Sequence, residues 1–537
     1  MEVTRMRRRN LIMIAAMVII VLSIGTTAFT AYEHEGDEDS AYFRTAYPNQ
    51  VDTKLDSCTT CHRGSDKNQG DPVTYGSCQW CHYVTNYGGD LSEETLLKTL
   101  NSYGLDYKND GRTEAALLAI SPLDSDGDGF KNGEEIAATR FPGNPEDDPS
   151  KVAAPSRVFT REQLEQMPQH TQFLLMNASK STDTYVEYTG VQMGDLINEA
   201  GLLPSGTGIY VSAPDGFGQL HPLYPDPSPS LYHVFGEYPA AIFHYDSLAD
   251  IAVNLAGWCD YSAPSVVGRN DGDPIINPDG LKMILAIKRD GQYLDPGELN
   301  DQNKLDGEGP FRVVPPQKVP CPPDQRSTAS TPSLPWPYDK NADHNAGFSS
   351  RSVTIIKVEP LPEGTTDIDT LEAGWKYIDE DKIVVYGAID PAPTILEKLD
   401  ELIMTLSEMD DAAFKNCPYK HCSHKAPKGA FRSSKCPQSH FAKWGRGGIS
   451  CGHLCKKHCR CSTQYVLIKE LEVVKKQVIH GAYSGALEKL QNDIQKKTDG
   501  CVVSGAVDRN DWVTDCDSQE QLYWSINEIV VLLNILV

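Results

Sequence analysis

Twice between residues 58 and 82 the chain repeats one five-residue pattern, two cysteines separated by two residues with a histidine next. The first copy is Cys58-Thr59-Thr60-Cys61-His62 and the second is Cys78-Gln79-Trp80-Cys81-His82. No other feature limits the fold as much, because thiols at that spacing with an imidazole beside them oblige the segment to wrap around whatever they hold. In a c-type haem site the two thiols bond covalently to the two vinyl groups, and the following histidine lies under the iron. The competing reading is a structural zinc ribbon, since the cysteines also space as C-x2-C-x16-C-x2-C. Zinc needs no histidine after each pair. With 14 histidines in 537 residues, two at these positions by chance have a likelihood on the order of one in a thousand. The expectation is therefore two c-type haems, anchored by Cys58, Cys61, Cys78 and Cys81 with His62 and His82 as iron ligands. Zinc, and behind it disulfides, remain the alternatives.

The N-terminus agrees with this reading. Arg5, Arg7, Arg8 and Arg9 precede an uncharged apolar run from 11 to 31, with Thr26 and Ala28 forming a small-x-small cleavage site. This is the layout of a secretory signal, and if uncut the run is long enough to anchor the chain in a bilayer. Residues 1–31 are read as signal peptide or N-terminal anchor. The body is expected to be exported, either to the periplasm or to the outer cell surface, where covalent haem attachment takes place. Fifteen cysteines suit such a compartment, although the odd number excludes simple complete pairing. A net charge of −25 argues against nucleic acid as the partner, because phosphates would be repelled. Acidic groups around residues 33–150 are expected to lower the haem potentials.

The sixth iron ligands are less constrained. No methionine occurs between Met17 and Met167, and His34 is the only other histidine before His170. Bis-histidine ligation using His34 and a histidine such as His170, or a five-coordinate iron, both stay open.

A second metal signature follows. Residues 124–135 match a twelve-position EF-hand loop. Asp124, Asp126 and Asp128 stand at positions 1, 3 and 5, and Gly129 at the sharp turn. Phe130 offers a carbonyl at position 7, Asn132 fills position 9, directly or through water, and Glu135 closes the loop at position 12. The expected ligand is Ca2+. With one loop and no long helix before it, a structural clamp is expected rather than a sensor pair. The competing reading is an acidic surface turn.

The length predicts roughly three to four domains. Residues 32–57 read as an acidic linker, 58–150 as a small helical dihaem domain carrying the calcium loop, and 393–537 as a helical C-terminal domain. Within 157–361, several stretches resemble the molybdopterin-binding domain of the sulfite oxidase family. Val186-Glu187-Tyr188-Thr189-Gly190-Val191 with Gly194-Asp195-Leu196-Ile197 is similar to that family's strand-then-helix segment. Val211 to Phe217 is similar to its strand and turn, and Leu285 to Gly291 with Gly309 to Pro315 to a later strand pair. The resemblance implies a mixed α+β domain, a bound molybdopterin, and Arg312 as a candidate anion contact. The family's metal-holding cysteine has no counterpart near the Val186–Val191 segment, where residues 176–182 hold none and Cys259 and Cys321 lie elsewhere in the chain, so the domain is expected to be metal-free.

Residues 411–463 hold Cys417, Cys422, Cys436, Cys451, Cys455, Cys459 and Cys461, five histidines, and eleven Lys and Arg against one Asp. Disulfides with one thiol left over are expected there, with zinc as the alternative, and the basic charge could dock an acidic partner. Cys501 and Cys516 read as a disulfide. The chain as a whole is a multidomain α+β protein. Its expected function is electron transfer between redox partner proteins. A molybdenum-dependent oxidoreductase feeding its own haems and a non-catalytic surface binding protein are the rival readings.

Overall fold

The computed structural model describes residues 38–51, 53–62, 97, 99–178, 182–213, 218–225, 232–236, 238, 241–245, 247–248, 259–299, 305–318, 323, 343–369, 375–415, 420–422 and 459–537. The chain divides into two units, Met1–Ile389 and Asp390–Val537. Its elements are mixed helix and sheet, in keeping with a multidomain α+β chain. Among the described residues no helix is long and apolar enough to cross a membrane. The expected signal or anchor lies outside them.

Among the described residues the first unit begins with short helices, α1 (Glu38–Ala46), α2 (Ser102–Asn109), α3 (Glu114–Ala119) and α4 (Asn132–Ala137). Asn101 caps α2 by accepting from the Gly104 N–H, and Thr113 caps α3 through the Ala116 N–H. Each satisfies a donor that a helix start leaves open. The helices are too short to stand alone in water, and a shared core fixes them. That core gathers Phe43, Leu55, Tyr103, Tyr107, Leu117 and Ile136. Residues 38–57 are thus not a linker, as their composition suggested. Phe43 and Leu55 are buried, and α1 packs on α3.

A β lobe follows in the same unit. Among its strands are β1 (Val152–Ala153), β2 (Ser156–Thr160), β3 (Gln169–Met176), β4 (Asp183–Gln192), β5 (Gly208–Ser212), β6 (Gly218–Pro222), β7 (Cys259–Asp260), β8 (Ile284–Arg289), β9 (Gln292–Tyr293), β10 (Arg312–Val314), β11 (Ile355–Glu359), β12 (Thr365–Thr366) and β13 (Lys382–Gly387). One five-stranded sheet runs β2-β13-β11-β5-β6, with β11 and β13 parallel and the other pairs antiparallel. The other runs β9-β8-β4-β3, with β10 added on β8 and β7 on β4. Strand β8 shows why its sequence is apolar on both phases. Leu285 and Ile287 enter a core shared with Val191, Ile209, Ile356 and Val385, while Ile284 and Ala286 enter a second core with Phe173 and Tyr185. Alternate side chains of a strand point to opposite faces, so a strand covered on both faces reads as a continuous apolar run. Helix α5 (Arg161–Gln166) follows β2, and between β4 and β5 helix α6 (Met193–Ala200) closes the first core with Leu196 and Ile197. It ends at Gly201, whose φ of 91° the missing side chain permits. The sheet reaches past the expected boundary at 361, because β13 lies in its interior.

The helical lobe and the β lobe meet at a buried lysine. Lys54, 4% exposed, places Nζ 2.9 Å from Asp147 Oδ2 and 3.5 Å from Thr366 Oγ1 of β12. Its backbone N–H donates to Asp369 Oδ1 at 3.0 Å. Burial pulls the Lys54 pKa down and the Asp147 carboxylate partly restores it. Asp147 also faces Arg140 at 3.6 Å and accepts from the Phe141 N–H at 3.0 Å, so it keeps partners when the ammonium is removed. Lys54→Ala is therefore expected to destabilise the first unit by about 1–3 kcal/mol, read as a lowered midpoint in denaturant unfolding.

The second unit packs helices α7 (Ala392–Glu408), α8 (Ser462–Ile479), α9 (Tyr483–Lys489) and α10 (Cys516–Asn534). Ile395, Leu399, Leu402 and Leu406 recur at helical spacing on α7 and are buried, as are Leu467, Leu471, Val474 and Val478 on α8. Between α8 and α9 the chain turns at Gly481, whose φ is 72°. A disulfide joins Cys501 to Cys516, as the spacing suggested. Most of the 411–463 block lies outside the described residues. At its neck Lys420–Cys422 pairs antiparallel with Cys459–Cys461, a backbone register that sets Cys422 opposite Cys459.

Candidate functional site

The first cysteine–histidine motif sits on a tight turn. Residues Cys58–Thr60 form one 3-10 turn, and the Cys61 and His62 N–H groups both donate to the Cys58 carbonyl, at 3.2 and 2.9 Å. On such a turn residues three apart stand nearly in line, so Cys58 and Cys61 share one face. Both are half-buried thiols. The turn is fastened from below, where Thr60 Oγ1 donates to the Leu55 carbonyl at 2.6 Å. It is fastened from the side by Asn101. The Asn101 N–H donates to the Cys61 carbonyl at 3.0 Å and its Nδ2 to the Thr60 carbonyl at 3.0 Å.

These residues open onto a cleft whose walls include Cys58, Cys61, His62, Phe43, Leu55, Leu100 and Leu117. Thiols and imidazole thus stand at one wall of a mainly apolar cleft. The His62 Nδ1 lies 2.8 Å from Thr99 Oγ1. A hydrogen bond at one ring nitrogen sets the tautomer and orientation of a ligating histidine. Tyr107, Lys108, Arg112 and Asp39 also line the cleft. The Tyr107 hydroxyl donates to Asp39 Oδ1 at 2.8 Å, and Arg112 pairs with the same carboxylate. Burial, and then the Asp39 contact, push the Tyr107 pKa up, so the phenol stays neutral. Among the described wall residues there is no methionine and no second histidine. His170 is buried on β3 and is not one of them. His34 and the second motif, with Cys78, Cys81 and His82, lie outside the described residues.

One glycine matters to this geometry. A Cβ at Gly104 of α2 would lie 2.1 Å from the Cys61 carbonyl oxygen, a backbone atom that cannot swing aside. Gly104→Ala is expected to push α2 off the turn, lowering stability by about 1–3 kcal/mol. Covalent haem per chain, read by the pyridine haemochrome spectrum, is expected to fall with it.

The acidic loop lies on the far side of α2. Asp124 Oδ1 accepts from the Gly127 N–H at 2.7 Å and Oδ2 from the Gly129 N–H at 3.0 Å. The glycines take φ of 84° and 103°, the left-handed turns such a loop needs. The Asp124, Asp126 and Asp128 oxygens fall within 4.8 Å of one another. Glu135, on α4, is fully buried, and neither of its carboxylate oxygens has a hydrogen-bond partner; one oxygen each of Asp126 and Asp128 is in the same condition. Burial raises the Glu135 pKa to about 9, with Asp126 and Asp128 adding to it. Burial and the Asp128 charge raise Asp126 to about 6. Buried carboxylates without donors are costly, and a divalent cation resolves that cost. Phe130 is placed at the seventh position with its N–H donating to Asp128 Oδ1 at 2.8 Å. Asn132 has a different role from the ligand expected. Its Oδ1 accepts from the Ser125 N–H at 3.1 Å and its Nδ2 donates to the Ile120 carbonyl at 2.8 Å, so it clamps the loop's own backbone.

A second acidic group, Asp499, Asp508 and Asp511, differs in kind. Asp511 already accepts from the Gly500 and Asp508 N–H groups, so its charge is met by backbone.

In the β lobe Arg312 is fully engaged. It donates from Nη1 to the Tyr188 hydroxyl at 2.9 Å and from Nε to Ser349 Oγ at 2.8 Å, and it pairs with Glu308 at 2.9 Å. Arg289 pairs with the same Glu308 at 2.6 Å. This is a structural knot rather than an open anion contact. Cys259 is buried in the second core of the lobe, among Phe173, Tyr185 and Val266. Sequence reasoning missed Thr99, Asn101 and Gly104 as parts of the site, because residues that brace a motif carry no motif of their own. Comparison with protein-family models, curated proteins and solved structures finds no match.

Proposed function

We propose that the chain is an exported dihaem c-type cytochrome that transfers electrons between redox proteins, stiffened by a calcium clamp. The observation that carries the reading is the placement of Cys58, Cys61 and His62 together on the wall of one apolar cleft, with the imidazole held at Nδ1. A haem bound there would supply a one-electron couple. The chain's own part is to fix its orientation through the braced turn, to keep water from its apolar face with Phe43, Leu55 and Leu117, and to set charge at its edge with Asp39, Lys108 and Arg112. The second motif, at Cys78, Cys81 and His82, would hold the other haem a short chain distance away. Buried carboxylates without donors support Ca2+ at Asp124, Asp126, Asp128 and Glu135, with the Phe130 carbonyl.

The β lobe enters this reading as a rigid, metal-free support. The engagement of Arg312 and the apolar setting of Cys259 both speak against a molybdenum centre there. Acidic composition favours protein partners over nucleic acid. The test is elemental analysis of the natively exported protein. Two irons and one calcium per chain without molybdenum are expected. Zinc in place of iron would sink the cytochrome, and stoichiometric molybdenum would make the β lobe a catalytic domain.

A further inference from the structure

The calcium loop and the haem turn are joined by a short series of contacts that runs through α2. Ser125 is the second residue of the loop, a position that supplies no ligand in the EF-hand pattern. Its Oγ donates to Asp106 Oδ2 of α2 at 2.7 Å and receives the Asn132 Nδ2 at 2.9 Å. Asn132 in turn holds the loop closed at the Ser125 N–H. Asp106 belongs to the helix whose first turn carries Asn101 and Gly104, the residues seated on the Thr60 and Cys61 carbonyls. Tyr107 and Lys108, next to Asp106, stand on the cleft wall. A second support is apolar. Ile136 follows the ligand Glu135 on α4 and packs in the core with Tyr103, Tyr107 and Leu117.

We propose that Ser125 and Asp106 are positioning residues that transmit cation occupancy of the loop to the first haem site, so that calcium sets where α2 rests against the Cys-x-x-Cys-His turn. The inference rests on the cytochrome reading above. With calcium bound, the carboxylates draw together, Ser125 is held in register and α2 is pressed onto the turn. Without it, Glu135 takes up a proton while Asp124, Asp126 and Asp128 repel, the loop opens, and the hydroxyl that restrains Asp106 moves away. The first haem site would then be more open to solvent and would lose net positive charge nearby, and both changes would favour the oxidised form. One of the two haem couples is therefore expected to shift to lower potential on calcium removal, with a matching change in its visible spectrum, while the other stays put.

The experiment uses the full exported protein. Covalent haem and calcium per chain are first measured on the same sample, which separates failure of the cytochrome reading from failure of the coupling. Spectropotentiometric titration is then run with calcium and after chelation by EGTA, on wild type, Ser125→Ala, Asp106→Asn and Ser125→Thr. The expected result is a calcium-dependent shift in wild type, its loss in S125A and D106N with calcium stoichiometry retained, and its return in S125T, which keeps the hydroxyl. An unshifted wild type that holds both haem and calcium would overturn the proposal. So would a shift of undiminished size in S125A and D106N.

Discussion

Replacing Cys58 and Cys61 together by serine is expected to halve the covalent haem, leaving about one iron per chain. Serine keeps the size of the side chain and the half-buried setting of both residues, so the turn can still form on its hydrogen bonds to Leu55 and Asn101. What disappears is the thiolate chemistry, and a hydroxyl does not form the thioether link. Pyridine haemochrome absorbance against protein mass gives the ratio directly. His62→Met, by contrast, would keep the covalent haem and change its ligation, seen as an altered Soret band. If the double serine variant kept two covalent haems, the first motif would not be an attachment site.

The second large effect concerns stability. Calcium is expected to raise the thermal midpoint of the first unit by several degrees, and Glu135→Gln to remove most of the gain. A ligand that binds only the folded state contributes about 4 kcal/mol at a thousandfold excess over its dissociation constant. The pH dependence has a definite sign. In the calcium-free protein the Glu135 pKa is raised to about 9 from a usual 4.5. The protonated form thus supports the fold fully below about pH 4.5, and that support drains away as pH rises towards 9. Calcium needs the ionised carboxylate, so binding near neutrality expels about one proton from this residue. The calcium-induced gain in midpoint is expected to grow between pH 5.5 and 8.5, and differential scanning calorimetry at three pH values checks it. A gain that shrank over that window would contradict the assignment of Glu135 as a ligand.

What could be read in the sequence was whatever is written locally. The cysteine–histidine motif and the twelve-residue loop announce themselves because their side chains come from neighbouring residues. Residues 38–57 misled because their acidic surface outnumbers the two side chains, Phe43 and Leu55, that decide their burial. Strand β13 escaped notice because its partners, β2 and β11, are set by pairing across some 220 and 30 residues of chain. The Asn132 clamp escaped for a related reason. An amide at the ninth position reads as a ligand until the Ile120 carbonyl is seen beside it. No pattern in the sequence marks a lysine for burial, since Asp147 and Thr366 lie far along the chain from Lys54.

That lysine has a consequence for how such a protein can be taken apart. Lys54 lies only a few residues before Cys58, yet its ammonium is sheltered by β12 of the other lobe. A fragment ending near residue 150 would carry an ammonium made for a cavity it no longer has, with the backbone of Lys54 stripped of its Asp369 acceptor. The segment that bears Cys58, Cys61 and His62 is therefore not a portable cassette. Grafted onto a different scaffold it would arrive missing part of its own floor, and any lineage that exchanged the β lobe would have had to rebuild the seam in the same step.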